Sequence, residues 1–232
     1  MKYILTKKPK NPVIIQGFPS LGLVSTITTK FLVDHLDIEE IGYIESEHLV
    51  PLTAIHKSKV VNPITIYYNK KNNMVIIQSL TEMAGFEWDV AQTILDIAKE
   101  LTAKEIIVVE GMPTQKEEIN LYYYSNKRKL KLKQLDEGIV MGPTAALLLK
   151  AKEIPVTCIF AEAHSQFPDS EAAAKVIEAL NVYIGIKVDT KPLLEAAKKF
   201  EVNLKQYLEK SREASLKAAT APKNREDTNY FG

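Results

Sequence analysis

Residues Asn11–Lys30 contain the feature that most constrains the fold, because a strand, a glycine turn and a helix follow one another there without interruption. The segment Pro12–Gln16 is a β-branched, apolar run bounded by turn residues, a pattern typical of a buried strand. Gly17–Gly22 supplies two glycines, a proline and a serine, which predicts a turn. Apolar residues then recur at helical spacing, so the sequence predicts a helix that ends near His35.

Two glycines in this turn, Gly17 and Gly22, have the spacing of a phosphate-binding loop. In such a loop the second glycine is followed by Lys and then Ser or Thr, because the ammonium group contacts the phosphates and the hydroxyl contacts magnesium. Here Leu23 and Val24 occupy those positions, and both are apolar. The sequence therefore favours close packing of strand against helix over phosphate binding.

The same alternation of buried strands and helical segments recurs along the chain. It predicts an α/β fold with a mainly parallel sheet and helices on both faces. Strands are predicted at Pro12–Gln16, Ile41–Glu47, Ile64–Tyr68, Met74–Gln78, Glu105–Glu110, Leu121–Tyr124, Leu130–Leu135, Gly138–Met141 and Pro155–Glu162. Helices are predicted at Leu23–His35, Trp88–Leu101, Pro143–Lys152 and, capped by Asp169, up to Leu180. His48–Asn62 is predicted to be irregular.

The last part of the chain is predicted to be a long helix followed by a flexible tail. Asp189 or Thr190 can cap the helix, and apolar residues then recur at alternating gaps of four and three, which is a heptad pattern. The side chains on this seam, which would pack against their own domain or a sister subunit, are Leu193, Phe200, Leu204 and Tyr207. The tail is polar and cannot bury enough apolar surface to fold alone. The predicted division is a core of residues 1–189, a helix of residues 190–219 and a tail of residues 220–232.

The composition excludes several classes of protein. The net charge of the 232-residue chain is +1, so its overall field attracts neither nucleic acid nor a membrane surface. Met1–Pro9 has three lysines and no long apolar run, which argues against a signal peptide. No stretch approaches about 18 consecutive apolar residues, so no membrane span is predicted. The single cysteine, Cys158, lies in an apolar run and is predicted to be a buried core residue in a cytoplasmic protein.

The most basic segment of the chain is Lys127–Lys133, in which lysine and leucine alternate from Lys129 onward. Strict alternation predicts a strand with one lysine face and one leucine face. A strand at the edge of a sheet, protected from aggregation by its lysines, is the favoured interpretation. Binding of an anionic partner such as a nucleic acid is the alternative.

Acid–base candidates follow the predicted buried strands, at the carboxyl ends where open α/β sheets bind their ligands. They are Glu110, Glu162 and His164, and together with Gly17 and Ser20 they would line a ligand crevice. The four histidines are scattered and no metal-binding motif is present, so no metal or cofactor is predicted. One functional hypothesis is therefore a small-molecule- or nucleoside-binding protein, or a hydrolytic enzyme, that uses this crevice.

Four segments resemble the proteasome assembly chaperone 2 family: Gln16–Val24, Gly142–Leu148, Glu162–Ala163 with Pro168–Ala174, and Val188–Asp189. The first is similar to the family's opening Gly-Phe-Pro-Gly-x-Gly-Leu-Val signature. The third is similar to its second signature, a Glu followed by Pro-Asp-Pro-x-Ala-Ala. Ser20 and Ser170 stand where Gly and Pro are common, and neither change damages the turn chemistry. The resemblance runs from about Asn11 to Phe200 in the family's order and spacing.

This resemblance implies a three-layer α/β/α fold similar to nucleoside phosphorylases, without their catalytic residues. It implies a non-enzymatic, archaeal-type homo-oligomer that binds proteasome α subunits or the core particle during assembly. It also implies a C-terminal docking motif made of a hydrophobic residue, a tyrosine and any residue. The last three residues, Tyr230, Phe231 and Gly232, correspond to that motif, and Phe231 departs from the tyrosine.

Overall fold

The computed structural model describes residues 1–47, 49, 51–56, 58–116, 118–164 and 168–198. Its strands are β1 (Lys2–Leu5), β2 (Val13–Gly17), β3 (Glu39–Glu45), β4 (Ala54–His56), β5 (Lys59–Val61), β6 (Ile64–Asn69), β7 (Met74–Ser79), β8 (Glu105–Pro113), β9 (Leu121–Ser125), β10 (Lys133–Gln134) and β11 (Val156–Ala163). Its helices are α1 (Val24–His35), α2 (Glu87–Glu100), α3 (Gly142–Lys150), α4 (Ser170–Ile184) and α5, described over 191–198. A single 3₁₀ turn, Leu21–Leu23, precedes α1.

Within the described residues, nine strands form one sheet in the order β1-β3-β6-β7-β2-β8-β11-β9-β10. The four central strands, from β7 to β11, run parallel to one another. In the middle of them, Val13 of β2 lies opposite Met74 on one side and Glu105 on the other. Antiparallel strands flank this centre on both sides. The predicted sheet with a parallel core is therefore confirmed.

Helices cover both faces of the sheet, and each face has its own apolar core. Neighbouring residues of β2 show the division. Ile14 packs with buried residues of α2 and α3, whereas Ile15 packs with those of α1 and α4. Both side chains are fully buried, as expected for a parallel strand covered on its two faces. The predicted three-layer α/β/α architecture is confirmed.

The prediction that His48–Asn62 is irregular is wrong in part, because β4 and β5 form a short antiparallel hairpin there. Ile55 and Val60 lie opposite each other in this hairpin and are 79% and 73% exposed. Because such apolar side chains face solvent, the segment lacks the apolar-in, polar-out alternation by which a half-buried strand is recognised.

The predicted strands Leu130–Leu135 and Gly138–Met141 also need correction. Only Lys133–Gln134 pairs as a strand, parallel to β9 at the edge of the sheet, and residues 138–141 form none. The alternation of lysine and leucine nevertheless persists outside the ladder, because Leu130 and Leu132 pack against the core under α1 and α4 while the lysines stay exposed. The alternation of lysine and leucine therefore indicates which side chains face the protein. It does not predict strand pairing.

At the C-terminal end, α5 begins as predicted. A carboxylate oxygen of Asp189 accepts a hydrogen bond from the Lys191 amide at 3.1 Å, which caps the start of the helix. Leu193 is buried in the core shared with α1 and α4, so the first predicted seam residue packs against its own domain. The other seam residues (Phe200, Leu204, Tyr207) and the C-terminal motif (Tyr230, Phe231, Gly232) lie outside the described residues. The division of the chain at residue 189 stays a prediction.

Candidate functional site

The turn between β2 and α1 rests directly on the carboxyl end of β8. A Cβ added at Gly111 would lie 2.0 Å from the carbonyl oxygen of Leu21, so the two backbones are in contact. Gly22, the next residue of the turn, has a φ of +63°, which strains any residue with a side chain. Its missing Cβ would lie 3.0 Å from Cβ of Ala163. Glycine is therefore required at both positions for different reasons.

Gly17, at the end of β2, has a packing role. A Cβ there would lie 2.1 Å from the hydroxyl oxygen of Thr29 in α1. Ser20, in the turn, lies 3.4 Å from the Ser25 amide, which donates to its hydroxyl oxygen. The geometry of the turn is thus that of close strand–helix packing, which is the interpretation that the sequence favoured.

The loop that leads into α4 is bound to this turn. The amide of Asp169 donates a hydrogen bond to the Gly22 carbonyl oxygen at 2.8 Å. The Asp169 carboxylate caps α4 by accepting from the Ala172 amide at 2.9 Å, and it also accepts from the His164 amide at 3.0 Å. Asp169 therefore connects two of the four segments that carry the family resemblance, the turn after β2 and the loop before α4.

Glu162, the penultimate residue of β11, is a fully engaged carboxylate. Its side chain is 4% exposed and accepts hydrogen bonds from the amide and the side-chain nitrogen of Asn120, at 2.9 and 2.8 Å. The Lys116 ammonium lies 3.7 Å from the other carboxylate oxygen. Burial raises the pKa of Glu162, but the Asn120 hydrogen bonds and the Lys116 charge outweigh burial and hold the pKa below its ordinary value. Glu162 therefore anchors the segment before β9 and holds no proton to donate near neutral pH.

His164 contacts the same segment from the other side. Its Nε2 lies 2.8 Å from the backbone oxygen of Lys116, and its Nδ1 lies 3.3 Å from the Asp169 carboxylate. A carbonyl oxygen only accepts, so a hydrogen bond to Lys116 requires the proton on Nε2. His164 thus links the loop before α4 to the segment that Glu162 anchors.

Glu110, near the end of β8, has a different set of partners. Its neighbour two residues earlier, Val108, packs on the face covered by α2 and α3, and Glu110 follows on that face. The hydroxyl of Thr144, in the first turn of α3, donates a hydrogen bond to the Glu110 carboxylate. Burial raises the pKa of Glu110 to about 7, although the Thr144 hydrogen bond acts in the opposite direction.

The structure therefore divides the predicted ligand crevice into separate sets of contacts. Gly17 and Ser20 pack within the turn, Glu162 and His164 share the Lys116 segment, and Glu110 belongs to the start of α3. Three surface cavities of about 560, 600 and 610 Å³ are lined by other residues.

Two partners of these carboxylates, Asn120 and Thr144, carried little signal in the sequence. Thr144 follows a proline at a predicted helix start, which indicates a position in the first turn of the helix. The sequence does not indicate that the Thr144 hydroxyl donates to the Glu110 carboxylate. Asn120 lies in the loop before β9. Its partner Glu162 belongs to β11, which is 42 residues later in the chain and pairs with β9.

The part of the chain that the structure describes contains no group of three or more His, Cys, Asp or Glu residues placed to hold a metal ion. Among the same residues, no helix is long and apolar enough to span a membrane.

The raised pKa of Glu110 makes a prediction about stability. The folded-state pKa of about 7 lies above the ordinary value of 4.5, so the free energy of unfolding falls as pH rises from the ordinary pKa to the folded-state pKa and is constant above it. Glu110→Gln removes this titration, so its stability relative to the natural protein should rise by about 3 kcal/mol between pH 4 and pH 9. Urea unfolding from pH 4 to pH 9 measures it.

The exposed Glu137→Gln variant controls for the loss of one carboxylate. A stability difference between Glu110→Gln and the natural protein that stays constant over this pH range would contradict the buried position of Glu110.

Solved structures with the same fold include archaeal proteins. Pyrococcus furiosus PbaA, an archaeal homolog of proteasome-assembly chaperone, superposes with a TM-score of 0.83 at 27% identity over 94% of this chain and 96% of its own. Pyrococcus furiosus PbaB, an archaeal proteasome activator, superposes with a TM-score of 0.75 over 89% of this chain and 98% of its own. PbaB is 20% identical, so that similarity shows the fold alone.

Sequence comparison also finds similarity along most of the chain. An uncharacterized protein of Methanocaldococcus jannaschii is 28% identical over 220 residues, which is 90% of this chain and 91% of that protein. The sequence model of the PAC2 family matches residues 14–208, a range that includes the turn after β2, the loop before α4 and the start of α5. The chain therefore belongs to the PAC2 family.

Proposed function

We propose that this protein is a chaperone-like factor of proteasome assembly that binds the α subunits of the proteasome core. The observation that carries the proposal is the similarity to PbaA, which extends over 94% of this chain at a TM-score of 0.83. A similarity over nearly the whole chain extends beyond the central sheet.

The chemistry of the carboxyl-end loops supports a binding role rather than catalysis. The Glu162 carboxylate accepts hydrogen bonds from Asn120, and the His164 ring contacts Asp169 and Lys116. Burial and, to a smaller extent, the Glu110 carboxyl raise the pKa of Cys158 well above its ordinary range, so its thiol is not a nucleophile at neutral pH. Glu162 and His164 stabilise loops and Cys158 packs in the core, which are roles expected in a non-enzymatic protein.

Partner binding is proposed to use the C-terminal tail in part. Tyr230 and Phe231 would enter an apolar groove between α subunits while the carboxylate of Gly232 meets a lysine. Several tails on one homo-oligomer would add avidity, and the α5 seam, including Phe200, Leu204 and Tyr207, would pack subunits together. We place this activity in the cytoplasm, where α subunits would be available to the protein.

A second candidate function, binding or hydrolysis of a small molecule such as a nucleoside, is favoured by one observation. Gln16 and Glu110 lie on neighbouring strands and the same face of the sheet. The side-chain oxygen of Gln16 is buried and has no hydrogen-bond partner among the described residues. A donor group on a ligand would satisfy it, and a carboxyl group with a pKa near 7 suits proton transfer. Thermal-shift titration with nucleosides, and Gln16→Leu as the variant, tests this candidate.

Binding to purified proteasome subunits tests the leading proposal. Tagged full-length protein is incubated with recombinant α subunits, with β subunits and with the assembled core particle, and each complex is measured by size-exclusion chromatography and titration. We expect α subunits or the core particle to be retained and free β subunits to pass through. Failure to retain any α-containing species at micromolar concentration would overturn the proposal.

A further inference from the structure

The ring of His164 lies between two hydrogen-bond acceptors. Its Nε2 is 2.8 Å from the backbone oxygen of Lys116, in the segment before β9, and its Nδ1 is 3.3 Å from a carboxylate oxygen of Asp169, in the loop before α4. The first oxygen belongs to a backbone carbonyl, and the second to a carboxylate that already accepts from the amides of His164 and Ala172. Both nitrogens of the ring therefore face oxygens that accept hydrogen bonds.

A neutral imidazole cannot satisfy this arrangement, because it carries one proton, on either Nε2 or Nδ1. With the proton on Nε2, the lone pair of Nδ1 faces the Asp169 carboxylate. With the proton on Nδ1, the lone pair of Nε2 faces the Lys116 carbonyl oxygen. An imidazolium carries both protons and donates to both oxygens, and its hydrogen bond to the carboxylate is charge-assisted. The geometry therefore favours the charged ring.

The charged groups next to the ring also favour a cation. Both nearby ammonium groups have acceptors of their own, since Lys116 lies 3.7 Å from the Glu162 carboxylate and Lys175 donates to the Ile119 backbone oxygen at 2.8 Å. The turn after β2, residues 17–22, has no ionisable side chain. Glu117 lies outside the described residues. Carboxylates outnumber ammonium groups among the described residues that flank the ring, which are Lys116 and Glu118 before β9, Glu162 in β11, and Asp169, Glu171 and Lys175 around the start of α4.

Asp169 supplies the charge that is in contact with the ring. Its side chain is 10% exposed, so solvent screens this charge little. The positive end of the α4 dipole disfavours a nearby cation, but the Asp169 carboxylate caps that end of the helix and offsets the dipole. The His164 side chain is 40% exposed, so it can exchange protons with solvent while the domain stays folded.

His164 and Asp169 together connect three segments at the carboxyl edge of the sheet. The ring contacts Lys116 in the segment before β9, and the Asp169 carboxylate caps α4. The Asp169 amide donates to the carbonyl oxygen of Gly22 in the turn after β2, at 2.8 Å. The charge of one histidine ring therefore affects how firmly these three segments are held together.

We infer that His164 is a pH-sensitive clamp, which as an imidazolium holds the loop before α4 against the segment before β9 and which releases that loop when it loses its proton. Loss of the proton replaces one attractive contact by a contact between a nitrogen lone pair and an oxygen. The loop then opens while the sheet and its two helical layers stay folded. The contribution of the clamp is present at low pH and is lost as pH rises through the titration of the ring, as for any histidine that is held in its charged form. The clamp works in the same way whatever partner the protein binds.

An NMR titration of the full-length protein, labelled with ¹⁵N-histidine and taken from about pH 5 to pH 9, tests the charge of the ring. The signals of His164 are identified by their loss in His164→Gln. The test variant is Asp169→Asn, because asparagine caps a helix as well as aspartate does and its amide can donate to a neutral ring. The matched control is Glu171→Gln, which removes a carboxylate from the first turn of the same helix.

We expect the midpoint of the His164 titration to lie about one pH unit or more lower in Asp169→Asn than in the natural protein, because the ring loses its charged acceptor. This is a loss of about tenfold in proton affinity. Glu171→Gln should shift the midpoint by less than about 0.3 pH units, because its exposed carboxylate is screened by solvent. Equal midpoints in the natural protein and in Asp169→Asn would overturn the inference.

Amide hydrogen exchange measures the clamp itself. The Asp169 amide is protected by its hydrogen bond to Gly22, and we expect its protection factor to fall about tenfold as the His164 ring loses its proton. In His164→Gln the protection factor should stay constant over the same pH range, and thermal unfolding shows that this variant folds. A constant protection factor in the natural protein, while the ring titrates, would overturn the inference, because the ring would then change charge without holding the loop.

Discussion

Replacement of Gly111 by alanine is expected to lower the free energy of unfolding by about 3 kcal/mol and the melting temperature by roughly 10 °C. The added methyl group would lie 2.0 Å from the Leu21 carbonyl oxygen, well inside the contact distance, and that atom belongs to backbone. The turn after β2 must therefore move away from β8. The move also strains the hydrogen bond from Asp169 to Gly22, so the loss reaches the start of α4.

The matched control for this change is Gly138→Ala, in an exposed part of the chain. Its added methyl group would approach only side-chain atoms of Leu135, at 3.3 Å or more, and these can shift. Urea unfolding of both variants measures the difference. A Gly111→Ala protein as stable as the Gly138→Ala protein would show that the turn does not rest on β8 as described.

Removal of Tyr230–Gly232 is expected to weaken binding to proteasome α subunits roughly a hundredfold when several tails act on one ring. The three residues supply two apolar rings and the terminal carboxylate, so both sources of binding energy are lost together. We expect the melting temperature to stay unchanged, because a docking motif serves the partner and not the core. Titration of the α ring with the intact and shortened proteins, at matched salt, measures the change.

Two further variants separate the ring and carboxylate contributions. One residue added after Gly232 keeps both aromatic rings but displaces the carboxylate, and we expect it to weaken binding. Phe231→Tyr restores the hydroxyl at that position and should tighten binding where the pocket can hydrogen-bond it. If the shortened protein binds the α ring as tightly as the intact one, the tail is not the docking element.

The elements that the sequence predicted well are those that bury a regular pattern. Strand β2, helix α1 and the hairpin of β6 and β7 begin and end within one residue of their predicted bounds. In each case local spacing and burial agree, because the apolar period is the period of the element that the core requires.

The elements that the sequence did not predict correctly depend on contacts with other parts of the fold, which the local sequence pattern does not indicate. The β4–β5 hairpin exposes Ile55 and Val60, so it gives no burial signal. Leu130 and Leu132 alternate with lysines like a strand, but only Lys133–Gln134 finds a partner in the sheet. An alternating pattern indicates which side chains are buried and which are exposed. Strand pairing depends on whether another strand lies beside the segment.

The sequence predicted the positions of the candidate site residues better than it predicted their hydrogen-bond partners and pKa values. The carboxyl ends of β8 and β11 were predicted for Glu110 and Glu162, and both residues lie there. Their partners, Thr144 and Asn120, are 34 and 42 residues away along the chain. Only the folded topology assigns one carboxyl a near-neutral pKa and the other a pKa below its ordinary value.

The position of β2 has a consequence for how the chain is made. This strand is complete by residue 17, yet its parallel partner β8 begins at residue 105, and the turn that follows β2 is fastened by Asp169. At a synthesis rate of about 5–20 residues per second, roughly 7–30 s separate the emergence of Gly22 from that of Asp169. During the first part of this interval, before β7 and β8 emerge, Ile14 and Ile15 are without the strand neighbours that later bury them. The nascent N-terminus is thus a segment on which a ribosome-associated chaperone would act first.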